Sequence, residues 1–156
     1  MAFTIPTGRM LATAATNTFD SSPALNVLAV SVGAAWAYAG TPEFTRAGGV
    51  LTYAGTVVRT YSVRAYCSMH IAAVNAVLGL GIAVNGDLIG AAVGSAAELG
   101  SGAQYSNQVT TGGTVSIACE RLVTLNPGDT LQLVGCTATG AVDITIDRAE
   151  LVVQGC

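Results

Sequence analysis

Residues 60–71 read TYSVRAYCSMHI, and this stretch decides the fold. Apolar and polar side chains alternate along it without a break, which is the pattern of a β-strand with one face buried. One face carries Tyr61, Val63, Ala65, Cys67, Met69 and Ile71, and the other carries Thr60, Ser62, Arg64, Tyr66, Ser68 and His70. The stretch therefore predicts a long, half-buried strand.

Further strand signals lie on the C-terminal side of this stretch. Residues 77–84 predict a strand, and Asn85-Gly86-Asp87 predicts a tight hairpin turn after it. Two more strands, 114–125 and 130–134, flank the turn signal Asn126-Pro127-Gly128-Asp129. In the last strand and in 114–125 the apolar phase is interrupted, which predicts β-bulges near Asp147-Arg148 and Glu120-Arg121.

The region from residue 44 to the end contains at least seven strand signals and no helical period. This predicts an all-β fold, an antiparallel β-sandwich or jelly roll, and the resemblance described below favours the jelly-roll β-sandwich. Residues 1–23 have no clear period and predict an extended N-terminal arm, with residues 24–156 forming a single jelly-roll domain. Residues 24–39 are apolar on both faces and fit either a strand or a helix. Residues 94–113 predict a long connection of the kind that often carries function.

Charge is scarce in this chain. Only 10% of its 156 residues are charged, with six Arg, no Lys and a net charge of −3. These numbers exclude an electrostatic nucleic-acid partner. The longest apolar run, residues 24–39, is shorter than the roughly 20 residues that span a bilayer, so we expect no membrane partner. The N-terminus has no basic segment before an apolar one, so no secretory signal is expected. Because interface cores are depleted in charge, the composition favours an oligomer.

The four cysteines, Cys67, Cys119, Cys136 and Cys156, show no metal-binding spacing, and the chain has a single His. We therefore expect neither a metal nor a cofactor. Cys119 and Cys136 would face each other across a tight hairpin at residues 126–129, so a disulfide is an alternative. In the absence of an export signal, buried free thiols are favoured.

No enzyme signature is present. His70 lies on the polar face of its strand without a partner nucleophile, and Asp143 and Asp147, which could form a pair of acids, fit solvated strand positions. The chain is predicted not to be an enzyme.

Two sets of residues are candidates for contacts. Gly79, Gly81 and Ala83 give one strand face small side chains, which would let a second subunit approach closely, and Trp36 is a candidate for the core or an interface. Tyr66 and Tyr105 are candidate ligand contacts, because exposed aromatic rings can support a glycan.

Several segments together resemble a known family. They are Ala83-Val84-Asn85-Gly86, the strand end Leu122-Val123-Thr124-Leu125, the turn and strand of residues 126–133, and the apolar strand of residues 149–153. These are similar to the C1q/TNF-like jelly roll, in the small form found in bacteriophage virion proteins and bacterial surface filaments. Residues 49–56 also resemble those phage modules. The resemblance covers residues 44–154.

The resemblance implies a homotrimer packed around a threefold axis. It also implies a virion location and a structural role, in which the trimer decorates or cements a capsid and the arm reaches over the major capsid protein. The partners expected are thus further copies of this chain and the major capsid protein. The alternative is the receptor- or glycan-binding tip of a phage fibre.

Overall fold

The computed structural model describes residues 7–13, 20–21, 28–29, 36–72, 76–88, 104–108, 112–137 and 142–156. All regular elements within these ranges are β-strands. They are β1 (Thr7–Thr13), β2 (Asp20–Ser21), β3 (Leu28–Ala29), β4 (Trp36–Gly40), β5 (Phe44–Ala47), β6 (Val50–Tyr53), β7 (Arg59–Ile71), β8 (Ala76–Val84), β9 (Asp87–Leu88), β10 (Gln104–Gln108), β11 (Val115–Leu125), β12 (Thr130–Thr137) and β13 (Val142–Gly155).

The strands form two antiparallel sheets. The first has the order β11-β7-β13-β1-β4, with β2 beside β13. The second has the order β10-β8-β12-β6-β5, with β3 beside β12 and β9 beside β8. From β10 to β13 consecutive strands alternate between the sheets, as do β6, β7 and β8. The predicted jelly-roll sandwich is confirmed.

The core lies between the two sheets and has the composition that the alternation in β7 predicts. The inward side chains of β7, from Tyr61 to Met69, are almost fully buried. They face apolar side chains of the second sheet, which include Leu78, Leu80, Ile82, Leu131 and Leu133. Each such side chain contributes about 1.5–3 kcal/mol when it is removed from water.

Three buried aromatic rings fill one part of the core. The centroids of Phe44, Tyr53 and Tyr61 are 5.2–5.5 Å apart, two of the three pairs being edge-to-face. The Tyr53 hydroxyl donates to the Val57 carbonyl oxygen at 2.6 Å. Burial raises the pKa of the Tyr61 hydroxyl above its ordinary value, so this phenol stays neutral. A Cβ at Gly55 would collide with the Tyr53 ring, so only glycine fits there.

The predicted N-terminal arm is wrong for residues 7–13. These residues form β1, which lies inside the first sheet between β13 and β4. Met10 of β1 is fully buried, while Arg9 faces outward. The sequence signal is weak because Met10 is the one large apolar side chain among the buried positions described in this short strand. Residues 20–21 also pair, with β13.

The two bulge predictions had opposite outcomes. The bulge in β13 is confirmed, because Ile146 pairs with Met69 while Arg148 pairs with the adjacent Ser68. The bulge in β11 is wrong, because this strand pairs with β7 in unbroken register from Val115 to Leu125. Arg121 occupies an inward position there without a bulge. Since β11 ends the sheet order, a long side chain can reach solvent past the edge.

The predicted connection over 94–113 contains a strand. Gln104–Gln108 forms β10 and pairs with β8 at the edge of the second sheet. Ladder hydrogen bonds use backbone groups, so the polar sequence QYSNQ can form a strand without an apolar period. Residues 94–103 and 109–111 lie outside the described residues. In residues 24–39 the structure describes two strand segments, Leu28–Ala29 and Trp36–Gly40, and no helix in those positions.

The tight hairpin that would bring Cys119 and Cys136 together is absent, because β11 and β12 belong to different sheets. Cys67 and Cys119 are buried free thiols, as favoured from the sequence, whereas Cys156 is a free thiol but is exposed, so the prediction is wrong for it. Burial raises the pKa of Cys67 to about 12 and that of Cys119 in the same direction, so neither is a reactive thiolate.

A network of hydrogen bonds, which we call the staple, joins two turns at one end of the sandwich. It consists of Asn85, Asn126, Asp129 and Thr130. The Asp129 carboxylate accepts hydrogen bonds from the Asn126 backbone N–H at 2.7 Å and from Asn85 Nδ2 at 2.9 Å. Asn85 Oδ1 accepts one from the Thr130 backbone N–H at 2.9 Å.

Backbone hydrogen bonds connect the staple to a third segment. The Tyr53 N–H donates to the Asp129 carbonyl oxygen and the Gly128 N–H donates to the Tyr53 carbonyl oxygen, each at 2.8 Å.

The predicted hairpin turn at Asn85-Gly86 is confirmed, with φ of 53° at Asn85 and 90° at Gly86.

Removal of residues 1–13 should prevent the domain from folding. The truncation deletes β1, exposes one edge of β13 and leaves β4 without the strand that it pairs with. Removal of residues 1–6, which keeps β1 whole, is the matched control. Circular dichroism and urea unfolding would measure both proteins. A cooperative transition in the 1–13 truncation equal to that of the control would contradict the place of β1 in the sheet.

The stability contribution of Asp129 should disappear in acid. Hydrogen bonds from Asn85 and then from Asn126 hold the pKa of this carboxyl below its ordinary value. Its contribution is therefore present above the unfolded pKa of about 3.9, and it is lost as the pH falls through the lower, folded pKa. We expect Asp129→Asn to lower the urea midpoint at neutral pH and the difference from wild type to shrink at about pH 2.

Glu120→Gln is the control for that experiment. The pKa of Glu120 is also lowered, through hydrogen bonds from Ser62 and then Arg64, but this residue lies outside the staple. In the protein with Glu120→Gln, the Asp129 contribution to the urea midpoint should still be lost in acid. If the difference in urea midpoint between wild type and Asp129→Asn were the same at every pH, the stabilisation would not come from the ionised carboxylate.

Candidate functional site

The residues predicted to make contacts do not share one surface. Trp36 lies in β4 of the first sheet, where it pairs with Ala12. Gly79, Gly81 and Ala83 lie in β8 of the second sheet and are already buried in the single chain. Their burial leaves little surface for a second subunit, and the interface at these residues stays a prediction.

The two candidate ligand contacts are also on different sheets. Tyr66 lies in β7 and is half-buried, whereas Tyr105 lies in β10, opposite Gly79. The structure therefore does not bring these tyrosines together as a single platform, and their ligand contacts remain untested.

A further candidate surface is the outer face of the first sheet, which we call the open face. It follows from the alternation in β7, since each inward core residue has outward neighbours. Strands β11, β7, β13 and β1 contribute adjacent rows to it. The residues that define it are Arg9, Ser62, Arg64, Tyr66, Ala118, Glu120, Leu122, Arg148, Glu150 and Val152.

Charges on the open face are paired within the chain. Arg64 Nε lies 3.2 Å from Glu120 Oε1, and Arg9 Nε lies 2.7 Å from Glu150 Oε1. Arg148 Nη2 lies 3.5 Å from the other oxygen of Glu150. The first two pairs join neighbouring strands, so strand register brings together residues that are far apart in sequence, whereas Arg148 and Glu150 both lie in β13.

Tyr66 lines a shallow depression of about 340 Å³ at the centre of this surface. Its hydroxyl is 3.2 Å from the Ser116 hydroxyl, and the Arg148 guanidinium lies 6.0 Å from its ring centroid. The depression is bordered by Arg64, Glu120 and Val152. It combines apolar walls with polar groups at the rim, which suits a side chain or a small polar ligand.

Leu122 is the most exposed large apolar residue among the described residues, with 72% of its surface accessible. It lies on β11, opposite Ser62 of β7. Two other exposed apolar side chains, Val57 and Val58, lie just before β7. An isolated exposed leucine is common, but this one lies on a face whose three Arg and two Glu side chains are joined in ion pairs.

His70 has a partner that the sequence did not reveal. Its Nδ1 lies 3.1 Å from Asp147 Oδ2, and the Thr114 hydroxyl donates to the same oxygen at 3.3 Å. Asp147 is the extra residue of the β13 bulge, and a correct prediction of the bulge did not show which side chain it would approach. Thr114 donates to the carboxylate and not to the imidazole, so the three groups lack the nucleophile–base contact of a catalytic triad.

Asp143 pairs with Asp20 through the backbone, and its side chain lies outside the described residues. Within the described ranges, no group of three His, Cys, Asp or Glu side chains is placed to hold a metal ion. The same ranges contain no helix of sufficient length and apolar character to cross a bilayer.

No protein-family model matches this chain, and no curated protein matches it by sequence. Solved structures do match. Murine APRIL at pH 5.0 aligns with a TM-score of 0.55 at 8% identity, covering 96% of this chain and 98% of that one. Eiger TNF from S. frugiperda aligns with a TM-score of 0.53 at 10% identity, covering 98% of this chain and 94% of that one. The globular domain of zebrafish complement 1qA covers 96% of this chain with a TM-score of 0.49 at 9% identity.

At these identities the matches establish the fold and not the function. Nearly the whole chain aligns with these two structures, which agrees with its two packed antiparallel sheets. The chain is therefore an all-β, antiparallel jelly roll with the TNF-like fold.

Proposed function

We propose that this chain is a structural module that assembles as a homotrimer through the open face. The observation that carries the proposal is the combination on one sheet surface of exposed Leu122 with charges that are already paired inside the chain. Covering such a surface costs less than covering isolated charges, because the Arg and Glu partners stay together. The sparse charge of the whole chain supports the same conclusion.

The architecture suits assembly around an axis. A patch that meets a different patch on the next copy generates a ring when the rotation closes, and the resemblance noted from the sequence implies three copies. Burial of Leu122 alone would contribute about 1.5–3 kcal/mol for each subunit. The apolar part of the open face adds to this, and the total is offset by the freedom lost on association.

Replacement of Leu122 by Asp should convert the trimer into monomers that remain folded. The side chain is exposed in the single chain, so the substitution leaves the core intact, but it places an unpaired carboxylate in the contact. Val57→Asp is the matched control, since Val57 has a similar size and 53% exposure but lies in the loop before β7. Sedimentation equilibrium at micromolar concentration gives the mass of each protein.

A wild-type mass equal to the 15.6 kDa of one chain would contradict the trimer. A trimer that survives Leu122→Asp would instead place the contact elsewhere than the open face.

We further propose that the trimer belongs to a virion and decorates a capsid, binding the major capsid protein. This step is supported by the sequence resemblance to phage modules and by the absence of a catalytic constellation among the described residues. Residues 1–6 precede β1 and belong to the predicted arm, and in this proposal they make the attachment. No catalysis is needed for such a role.

The capsid role is tested by co-sedimentation of purified protein with capsids that lack it. The wild type should sediment with the capsids, and removal of residues 1–6 should abolish this while leaving the mass of the trimer unchanged. Equal binding of both proteins would show that attachment does not use this segment. Failure of the wild type to bind would contradict the capsid role.

Glycan binding is the second candidate function, and the depression beside Tyr66 is the observation that favours it. The two functions make opposite demands on this residue, because a trimer contact covers Tyr66 and a glycan needs it accessible. If a glycan binds at this depression, Tyr66→Ala should abolish binding and Tyr66→Phe should retain most of the ring contact. Titration of both variants with a panel of oligosaccharides would decide between the functions.

A further inference from the structure

The turn between β8 and β9 contains the one Asn-Gly dipeptide of the sequence, Asn85-Gly86. Both residues are exposed. Asparagine is a chemically labile residue, and the lability is greatest before glycine. The backbone nitrogen that follows can attack the side-chain amide, and glycine has no side chain to obstruct the approach.

The staple holds the side chain of Asn85 away from this reaction. Its Nδ2 donates to Asp129 Oδ1 at 2.9 Å, and its Oδ1 accepts from the backbone N–H of Thr130 at 2.9 Å and from the Thr130 hydroxyl at 3.3 Å. The amide is thus bonded at both ends to the neighbouring turn. Its backbone N–H also donates to the Thr130 carbonyl oxygen at 3.0 Å, so the residue is tied to that strand as a unit.

We propose that Asn85 is a site of spontaneous deamidation that the staple holds in check, so that opening of the staple converts it irreversibly. In the reaction the Gly86 backbone nitrogen forms a bond to Asn85 Cγ, and the Cγ–Nδ2 bond breaks. The proton of the Gly86 nitrogen leaves with Nδ2 as ammonia, which gives a cyclic imide. Water then opens the ring at either carbonyl, leaving aspartate or isoaspartate at position 85.

The product cannot rebuild the staple. A carboxylate at position 85 has no donor for Asp129 Oδ1, and it places a second negative charge where the Nδ2–Asp129 hydrogen bond was. Like charges at hydrogen-bonding distance repel and cannot both stay ionised without cost. Isoaspartate also lengthens the backbone within a turn whose two central residues have left-handed φ. Opening and conversion therefore reinforce each other.

The same network contains an internal control. Asn126 is also bound to Asp129, through its backbone N–H and its Nδ2 at 3.1 Å. The next residue is Pro127, which has no N–H to supply as a nucleophile. Release of the staple should therefore expose both asparagines but convert Asn85 alone.

The test follows conversion at Asn85 by peptide mapping and mass spectrometry, during incubation of the full chain in mildly alkaline buffer. We expect the folded wild type to react at least about tenfold more slowly than the same chain in urea, because reaction requires local opening. Asp129→Ala removes the acceptor for Nδ2 and should accelerate conversion under conditions in which the variant is folded. Val153→Ala is the control, since it weakens the core of the first sheet and leaves the staple intact.

Two results would overturn the proposal. One is equal conversion rates in the folded and unfolded wild type. The other is an acceleration in Val153→Ala as large as that in Asp129→Ala at matched stability, which would assign protection to the fold as a whole.

The variant Asn85→Asp, which is one of the two products, supplies an independent measurement. Its urea midpoint should lie below that of the wild type at neutral pH, and the gap should narrow below about pH 4, where the two carboxyls protonate. Equal urea midpoints at neutral pH would show that the product does not open the staple. The proposed link between staple opening and deamidation would then be overturned, even if Asp129→Ala failed to fold.

Discussion

The structure depends on the strict alternation of β7, because this strand lies between β11 and β13 and is in register with both along most of its length. A one-residue shift in the pairing of β7 would turn each of its core side chains outward. The alternation therefore fixes two surfaces at once. The inward row builds the core against the second sheet, and the outward row with Arg64 and Tyr66 at its centre becomes the middle of the open face.

The bulge in β13 is a consequence of the same constraint. On one side of the bulge Ile146 faces the core, and on the other Ala149, Leu151 and Val153 do so. These positions differ in phase, so a single extra residue is needed to keep both sets inward opposite one unbroken partner. That residue is Asp147, and its displacement from the ladder places its carboxylate beside His70. The contact thus arises from packing, and no catalytic explanation is required.

The parts of the structure that could be predicted are those set by residues close together in sequence. Period-2 alternation and turn chemistry are local, so β7, β8, the Asn85-Gly86 turn and the β13 bulge could be predicted from neighbouring residues. Strand β1 and strand β10 could not, because each is defined by backbone pairing with a strand distant in sequence and has few large inward side chains. The supposed bulge at Arg121 shows the opposite error, since a charged residue in the inward phase is tolerated where the strand lies at a sheet edge.

The ion pairs of the open face likewise could not be predicted from the sequence. Its ion pairs join residues as far apart in the chain as Arg9 and Glu150, and only the register of β1 on β13 brings them together. Pairing of these groups changes the free-energy cost of covering the surface. An isolated charge that is covered by another subunit loses its hydration without compensation, whereas a pair formed beforehand keeps its partner when water is excluded. A face with paired charges and one exposed leucine therefore loses less on burial than a face with isolated charges would. The proposed assembly thus rests on strand register, since without the pairing of β1 with β13 the Arg9 and Glu150 side chains would be isolated charges.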